Sequence, residues 1–195
     1  LPQFDKVIAT GSNNTARYFE YYFKDKPHII RKNRNSVAVL EGNESKEQLK
    51  ALGEDIFQYF GLGCRNVSKL FVPKGYDFDA FFEAMYAYRD VINHHKYANN
   101  YDYNKAVYLM SSVKLLDNAF LLLKEDLNFS SPIGTLFYEY YSDEEQLKSR
   151  LNQEQEHIQC IVGTHKFCEV DYGKAQHPTL TDYADGVDTI EFLIS

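Results

Sequence analysis

The sequence predicts an α/β fold in which a mostly parallel β-sheet is flanked by helices. Short runs rich in β-branched and aromatic residues, such as Ser36–Leu40 and Ser68–Val72, alternate with longer segments of helical spacing. Connections of ten or more residues between strands are typical of crossovers, which join parallel strands. Because no repeat, low-complexity tract or linker interrupts the chain, we expect a single domain over residues 1–195.

The first strands and the first helix are predicted from local composition. Three β-rich runs are closed by glycine, polar or proline residues: Asp5–Thr10, Ser36–Leu40 and Ser68–Val72. Between the first two, Asn14–Phe23 has helical spacing, and Asn13 or Asn14 is the expected cap.

Two further helices are predicted in the first half of the chain. Ser45–Gln48 fits a capping box, the pattern that begins many helices. Apolar residues follow it at helical spacing: Leu49, Leu52, Ile56 and Phe60. Gly61 and Gly63 are placed to end this helix as C-cap residues. Asp77 is the predicted cap of the next helix, which has one apolar stripe.

The second half continues the alternation. Helices are predicted over Tyr103–Leu116 and Glu144–Asn152. Strands are predicted at the apolar or alternating runs Phe120–Lys124, Gly134–Tyr141, Ile158–Val162 and Thr189–Ile194.

Charge and composition exclude several classes of protein. A net charge of −7 argues against nucleic acid as the main partner, which requires a basic face. No apolar run is long enough for a membrane helix, and no signal peptide is visible. The three cysteines form neither a disulfide framework nor a CxxC pair, which indicates a cytoplasmic protein. The histidines lack the spacing of a metal site with a third ligand, so no metal is assigned.

Cys64 is the candidate catalytic residue. It lies between the glycines at 61 and 63 and a predicted strand, whereas Cys160 and Cys168 lie in segments where packing is expected. A thiol at such a junction could attack a carbonyl or thioester carbon, and its own backbone N–H could help to hold the oxyanion. Arg65 and Lys69 are the nearby charges that would favour the thiolate. Judged from the residues alone, a packed structural thiol is favoured over a nucleophile.

Several motifs resemble the aldehyde dehydrogenase superfamily in order and spacing. These are the turn Thr10-Gly11-Ser12, the cysteine at 64, Ser68-Lys69 with Phe71-Val72, the turn Ser131–Gly134 and the helix start Ser142–Glu145. The resemblance implies an aldehyde-dehydrogenase-like catalytic domain in which Cys64 is the nucleophile. It also places Gly11 and Ser12 beside a nicotinamide cofactor.

Within that superfamily the chain most closely resembles the fatty acyl-CoA reductases of the bacterial luminescence type. The segments that carry this likeness are Asp117–Leu121, Ser131–Gly134, Ile158–Val162 and Asp182–Thr189. The resemblance implies reduction of an acyl-CoA thioester to an aldehyde through a Cys64 acyl-enzyme. NADPH or NADH would be the cofactor, CoA would be part of the substrate, and a homo-oligomer is compatible with the family.

Two departures from the superfamily pattern refine this expectation. The place of the glutamate that activates hydrolytic water is taken by Arg31–Arg34, which contains no carboxylate. The acid that would hold the nicotinamide ribose is absent from Asn128–Ser130. The first departure disfavours thioester hydrolysis but allows acyl transfer between thiols.

In this family a dinucleotide-binding half precedes the Thr-Gly-Ser turn, and here almost nothing does. We therefore expect residues 1–195 to be the C-terminal catalytic portion of a longer reductase and to be inactive when isolated. Two alternatives stay open. One is an aldehyde dehydrogenase working in the oxidative direction, and the other is a non-catalytic interaction domain that keeps Cys64 as a packed thiol.

Overall fold

The computed structural model describes residues 3–195. The strands, in chain order, are β1 (Val7–Thr10), β2 (His28–Arg31), β3 (Asn35–Val39), β4 (Val67–Pro73), β5 (Leu115–Asp117), β6 (Leu122–Glu125), β7 (Thr135–Tyr141) and β8 (Ile158–Val162). The α-helices are α1 (Asn13–Phe23), α2 (Lys46–Phe57), α3 (Asp79–Met85), α4 (His95–Met110), α5 (Glu144–Gln153) and α6 (Thr189–Ile194). Four short 3₁₀ helices lie between them: Gln58–Gly61, Tyr86–Asn93, Gln155–His157 and Ala184–Gly186.

The described chain divides into two compact units. One contains the residues up to Arg34 together with Pro178–Ser195, and the other contains Asn35–His177. That one catalytic domain spans residues 1–195, as the C-terminal portion of a longer reductase, stays a prediction.

The first unit is built on a two-stranded parallel sheet. β1 pairs with β2 in a register that sets Val7 opposite His28 and Thr10 opposite Arg31, and α1 is the crossover between them. β2 was not predicted from the sequence, because a four-residue strand beside a basic segment carries little periodic signal. Ser12, rather than Asn13 or Asn14, caps α1, since its Oγ accepts from the backbone N–H of Thr15 at 3.2 Å.

The strand predicted at Thr189–Ile194 is wrong, because these residues form α6. The Asp188 carboxylate accepts from the backbone N–H groups of Ile190 and Glu191, both at 2.9 Å. Two of the donors that a helix start leaves unpaired are thereby satisfied. The β-rich composition of the segment predicted a strand, but the cap at Asp188 stabilises a helix instead.

The second unit is built on a six-stranded sheet in the order β5-β6-β7-β4-β3-β8. Only β5 runs antiparallel to its neighbour, and the other pairings are parallel. The predicted α/β fold with a mostly parallel sheet flanked by helices is therefore confirmed.

Both faces of this sheet are covered. On one face α2, α3 and α4 pack against alternate strand residues such as Ala38, Leu70 and Leu136. On the other face α5 contributes its apolar side chains to a smaller cluster: Val37, Val39, Phe71, Phe129, Leu147, Leu151 and Ile158. Strands that are buried on both faces have continuous apolar runs in the sequence, as residues 37–40 do.

The predicted helix over Tyr103–Leu116 is displaced. α4 begins at His95 and ends at Met110, and Leu115–Asp117 forms β5. The helix ends because Ser112 adopts a left-handed conformation with φ of 54°, which a continuing helix does not allow.

A buried lysine lies in the central strand of this sheet. The Lys69 side chain is 0% exposed, and its ammonium donates to the Glu139 carboxylate and to the carbonyl of Asp126. It also lies over the rings of Phe71 and Phe129, at 5.0 and 4.9 Å from their centroids. Burial lowers the pKa of Lys69, and the ion pair with Glu139 opposes that shift.

We expect truncation of this lysine to destabilise the fold more than its apolar replacement. Both variants deprive Glu139 of the Lys69 cation, but Lys69→Ala also leaves a cavity, which brings its cost to about 3 to 5 kcal/mol. Lys69→Met keeps most of the volume, and Arg150 still lies 3.6 Å from Glu139, so the cost should stay below about 2 kcal/mol. Urea unfolding measures both. The exposed pair Lys46–Glu83 supplies the control, and a cost for Lys69→Ala no greater than that for Lys46→Ala would contradict the assignment.

Candidate active site

Cys64 lies in the turn between α2 and β4, in the second unit. α2 ends at Phe57, earlier than predicted, and a 3₁₀ segment over Gln58–Gly61 leads into the turn. Cys64 is exposed, three residues before β4 begins at Val67. Because β4 runs parallel to β3 and β7, this position lies at the amino edge of the sheet.

Gly61 and Gly63 meet two different requirements of the turn, one for backbone conformation and one for space. Gly61 has a φ of +76°, a conformation that L side chains rarely adopt. Gly63 has no such requirement, but a Cβ there would lie 2.8 Å from the side-chain oxygen of Asn66. Gly61 therefore supplies backbone conformation, and Gly63 supplies space for an approaching side chain.

The cations expected beside Cys64 are engaged elsewhere. The Lys69 ammonium is buried with Glu139, so the prediction that it favours the Cys64 thiolate is wrong. Arg65 donates from Nε to the carbonyl of Ala175, and its charge acts on the buried Cys160 thiol. Strand alternation explains the error for Lys69, since residue 69 points into the core face that carries Phe71.

The three thiols differ in access. Cys64 is exposed, Cys160 is buried with its Sγ 3.1 Å from Ser36 Oγ, and Cys168 is half-buried. Burial raises the pKa of Cys160, against the opposing effects of Ser36 and Arg65, and raises the pKa of Cys168 to about 12. Packing roles for Cys160 and Cys168 are confirmed, whereas a packed Cys64 is wrong.

Gly11 and Ser12 lie in the first unit, at the start of α1. Gly11 donates its backbone N–H to the carbonyl of Arg31, and a Cβ at Gly11 would lie 2.9 Å from that of Thr15. The Ser12 hydroxyl is used as the helix cap. Both residues thus have a folding role, and their contact with a cofactor stays a prediction.

Two residues that the sequence analysis did not single out hold the turn of Cys64. Asp55 is fully buried, and its carboxylate accepts from the backbone N–H groups of Gly173 and Ala175 at 2.6 and 2.9 Å. Asn66 is 2% exposed and bonds to both sides of the turn. The sequence could have indicated that Asp55 is buried, because it follows Leu52 by three residues and so lies on the apolar face of α2. Asn66 carried no such signal.

Asp55 is the most perturbed carboxyl group in this region. Burial raises its pKa to about 6, although the hydrogen bonds from Gly173 and Ala175 favour the charged form. Through these two hydrogen bonds Asp55 fixes residues 173–175, and Arg65 donates to the same segment at the carbonyl of Ala175.

Two classes of site find no candidate among residues 3–195. No group of three or more histidine, cysteine or acidic side chains there is arranged to hold a metal ion. None of the helices described is long and apolar enough to cross a bilayer.

The fold is similar to that of solved aldehyde dehydrogenases. An NAD-dependent aldehyde dehydrogenase from Sinorhizobium meliloti matches with a TM-score of 0.62 at 10% identity, over 100% of this chain and 42% of that one. An indole-3-acetaldehyde dehydrogenase from P. syringae, solved with NAD+ and IAA, gives 0.58 at 12% identity over 76% and 38%. The Delta-pyrroline-5-carboxylate dehydrogenase from Mycobacterium tuberculosis gives 0.52 at 16% identity over 83% and 37%.

These similarities establish the fold alone, because the sequence identities are low. No family model and no curated protein sequence matches the chain. The chain spans between 37% and 42% of the length of the three dehydrogenases named.

The raised pKa of Asp55 predicts a pH dependence of stability. The folded protein holds this proton more tightly than the unfolded chain, so the free energy of unfolding should fall as the pH rises from about 4 to above 6. The difference between 3.8 and about 6 corresponds to a loss of about 3 kcal/mol. Urea unfolding at stepped pH measures it. Asp55→Asn should remove this slope and exposed Asp102→Asn should keep it, so an unchanged slope in Asp55→Asn would contradict the assignment.

We also expect Cys64 to be the first thiol alkylated in the folded protein. It alone is exposed, and at neutral pH a thiol with a pKa of about 12 has on the order of a thousandfold less thiolate than an ordinary one. Brief treatment with iodoacetamide followed by peptide mass spectrometry measures the order. Urea-unfolded protein is the control, in which all three thiols should react alike. Earlier labelling of Cys160 or Cys168 in the folded state would refute the expectation.

Proposed function

We propose that this protein is a nicotinamide-dependent oxidoreductase that reduces an acyl-CoA thioester to an aldehyde through Cys64. The observation that carries the proposal is an exposed cysteine at the amino edge of a sheet with an aldehyde dehydrogenase fold. The sequence motifs that resemble the acyl-CoA reductases support the finer assignment.

The first half-reaction transfers the acyl group. The Cys64 thiolate attacks the thioester carbonyl carbon, and the new carbon–sulfur bond forms as the carbonyl oxygen becomes an oxyanion. Collapse of this intermediate breaks the bond to the CoA sulfur, and CoA leaves as a thiolate that takes up a proton. The backbone N–H of Cys64 is one candidate donor to the oxyanion.

The second half-reaction releases the aldehyde. Reduced nicotinamide dinucleotide, when bound, supplies the hydride that the carbonyl carbon of the acyl-enzyme accepts. The resulting oxyanion re-forms its carbonyl as the bond to Cys64 breaks, which returns the thiolate. The sum is acyl-CoA, reduced cofactor and one proton giving aldehyde, CoA and oxidised cofactor.

For the acyl-enzyme to be reduced to an aldehyde, water must not hydrolyse it first. In the superfamily a glutamate activates water, and the place that resembles it here, Arg31–Arg34, has no carboxylate. Two of these cations have partners in the first unit: Arg31 donates to Thr189 Oγ1 at 3.0 Å, and Arg34 lies 3.5 Å from Asp185. Neither can act as a general base.

The residues present fit only part of a dinucleotide. Gly11 and Ser12 directly precede α1, and the start of a helix can bind a phosphate through its free N–H groups. Such an anion contact contributes about 1 kcal/mol or less, whereas micromolar affinity requires about 8 kcal/mol. We propose that the rest of the cofactor site is supplied from outside these residues, in agreement with the partial span of the solved dehydrogenases.

Oxidation of an aldehyde is the second candidate, because the solved structures of similar fold are named as aldehyde dehydrogenases, some with NAD+. In that direction Cys64 would attack an aldehyde, and water would have to hydrolyse the acyl-enzyme. The lack of a carboxylate at Arg31–Arg34 counts against this second step.

Cys64→Ser in the protein tests the proposal. The assay uses the protein that also supplies the rest of the cofactor site. With a fatty acyl-CoA and NADPH or NADH, we expect its wild type to release CoA and form aldehyde. The variant should lose on the order of a thousandfold or more of this rate, because a serine hydroxyl is a far poorer nucleophile than a thiolate. Aldehyde is measured by trapping and mass spectrometry.

Cys168→Ala is the matched control, because it removes a half-buried thiol in the same unit and should keep aldehyde formation. Aldehyde formation that survives Cys64→Ser would place the chemistry elsewhere. A wild type that only converts aldehyde and NAD+ into acid would favour the oxidative candidate.

A further inference from the structure

The turn that carries Cys64 is held in an unfavourable backbone conformation. Tyr59 and Phe60 have φ values of 53° and 59°, in the left-handed region that side chains rarely occupy. This conformation is unfavourable for residues other than glycine. Strain of this kind persists only where the surrounding structure fixes the backbone.

The Asn66 side chain fixes this strained backbone from within the turn. Its side-chain amide donates to the carbonyls of Asp55, Ile56 and Gln58, at 3.1, 3.4 and 2.7 Å. Its side-chain oxygen accepts from the backbone N–H of Gly63 at 2.7 Å. One buried amide therefore joins the carboxyl end of α2 to the residue directly before Cys64.

The location of these carbonyls matters for the chemistry. The last carbonyls of a helix have no partner within it, and that end carries partial negative charge. Negative charge opposes a thiolate or an oxyanion formed nearby. By donating to Asp55, Ile56 and Gln58, the Asn66 amide offsets part of this potential without adding a charge of its own.

The residues around Cys64 are all bonded to fixed parts of the second unit. The carbonyl of Cys64 accepts from Ser36 Oγ at 3.1 Å, and Arg65 donates to the carbonyl of Ala175. The Asn66 backbone N–H closes the turn by donating to the carbonyl of Gly63 at 3.0 Å. The backbone on both sides of Cys64 is thus held, while its side chain is exposed.

We propose that Asn66 is the positioning residue for Cys64: it orients the backbone of the turn so that the Cys64 N–H meets the oxyanion formed in acyl transfer. The proposal rests on the proposed function. It predicts different effects on two reactions of the same thiol, because acyl transfer forms an oxyanion and alkylation by iodoacetamide does not.

Asn66→Asp is the test variant. It keeps the shape and the oxygen that accepts from Gly63, but it sets a carboxylate oxygen against the carbonyls of α2. Acyl transfer from a fatty acyl-CoA to Cys64 should fall roughly tenfold or more, as expected for a displaced reacting group. Alkylation of Cys64 by iodoacetamide should fall clearly less than acyl transfer, because both reactions need the thiolate that the carboxylate disfavours but only acyl transfer also forms an oxyanion at the turn.

The pH profile separates positioning from loss of stability. When the introduced carboxyl is protonated, it regains a donor and an acceptor, as the amide has. The acyl-transfer rate of Asn66→Asp relative to wild type should therefore recover as the pH falls. Asn104→Asp is the matched control, because Asn104 is also buried and donates to a carbonyl, that of Ile133 at 2.9 Å. It should keep the wild-type acyl-transfer rate at every pH where it is folded.

Each outcome has a separate meaning. If the wild type acylates Cys64 and Asn66→Asp does so at the same rate, the positioning role is wrong. If alkylation falls as much as acyl transfer, Asn66 maintains the fold and has no specific role in acyl transfer. If the wild type forms no acyl-cysteine at all, the proposed function fails, and with it the role assigned to Asn66 in that reaction.

Discussion

Burial of the central strands on both faces is the constraint on which the second unit depends. Ala38 and Val39 in β3 and Leu70 in β4 are fully buried, so helices or connecting segments must cover each side of the sheet. A sheet covered in this way can present reactive groups only where its strands begin or end. Cys64 occupies such a position, three residues before β4, and its exposure is compatible with the packing that buries the strand after it.

The same constraint explains why the buried ionisable groups Lys69 and Asp55 lie in hydrogen-bonded sets. Lys69 lies within a central strand and is paired with Glu139, while Asp55 lies on the buried face of α2 and holds residues 173–175. Buried polar groups without partners would cost several kcal/mol each. These sets therefore fix positions as well as satisfy charges, and the turn of Cys64 is held between Asn66 on one side and Arg65 on the other.

Much of the sheet could be predicted from the sequence, because two-face burial leaves continuous apolar runs. Ile158–Val162 was predicted with its observed bounds, and the capping box at Ser45 forms as expected. The strand predicted at Thr189–Ile194 was wrong, because composition alone does not show that the helix cap at Asp188 outweighs β propensity. In the site, the junction drew attention to Cys64, but the contacts of Lys69 and Asn66 depend on strand alternation and on distant segments, which local patterns do not contain.

The most direct test of the central claim is whether Cys64 accepts an acyl group. The protein is mixed with a fatty acyl-CoA in the absence of a nicotinamide cofactor, and peptides are analysed by mass spectrometry for an added acyl mass. We expect one acyl group per chain, on the peptide that contains Cys64, and its removal by hydroxylamine as expected of a thioester. An acyl group on Cys160 or Cys168 instead, or none on any cysteine, would contradict Cys64 as the nucleophile.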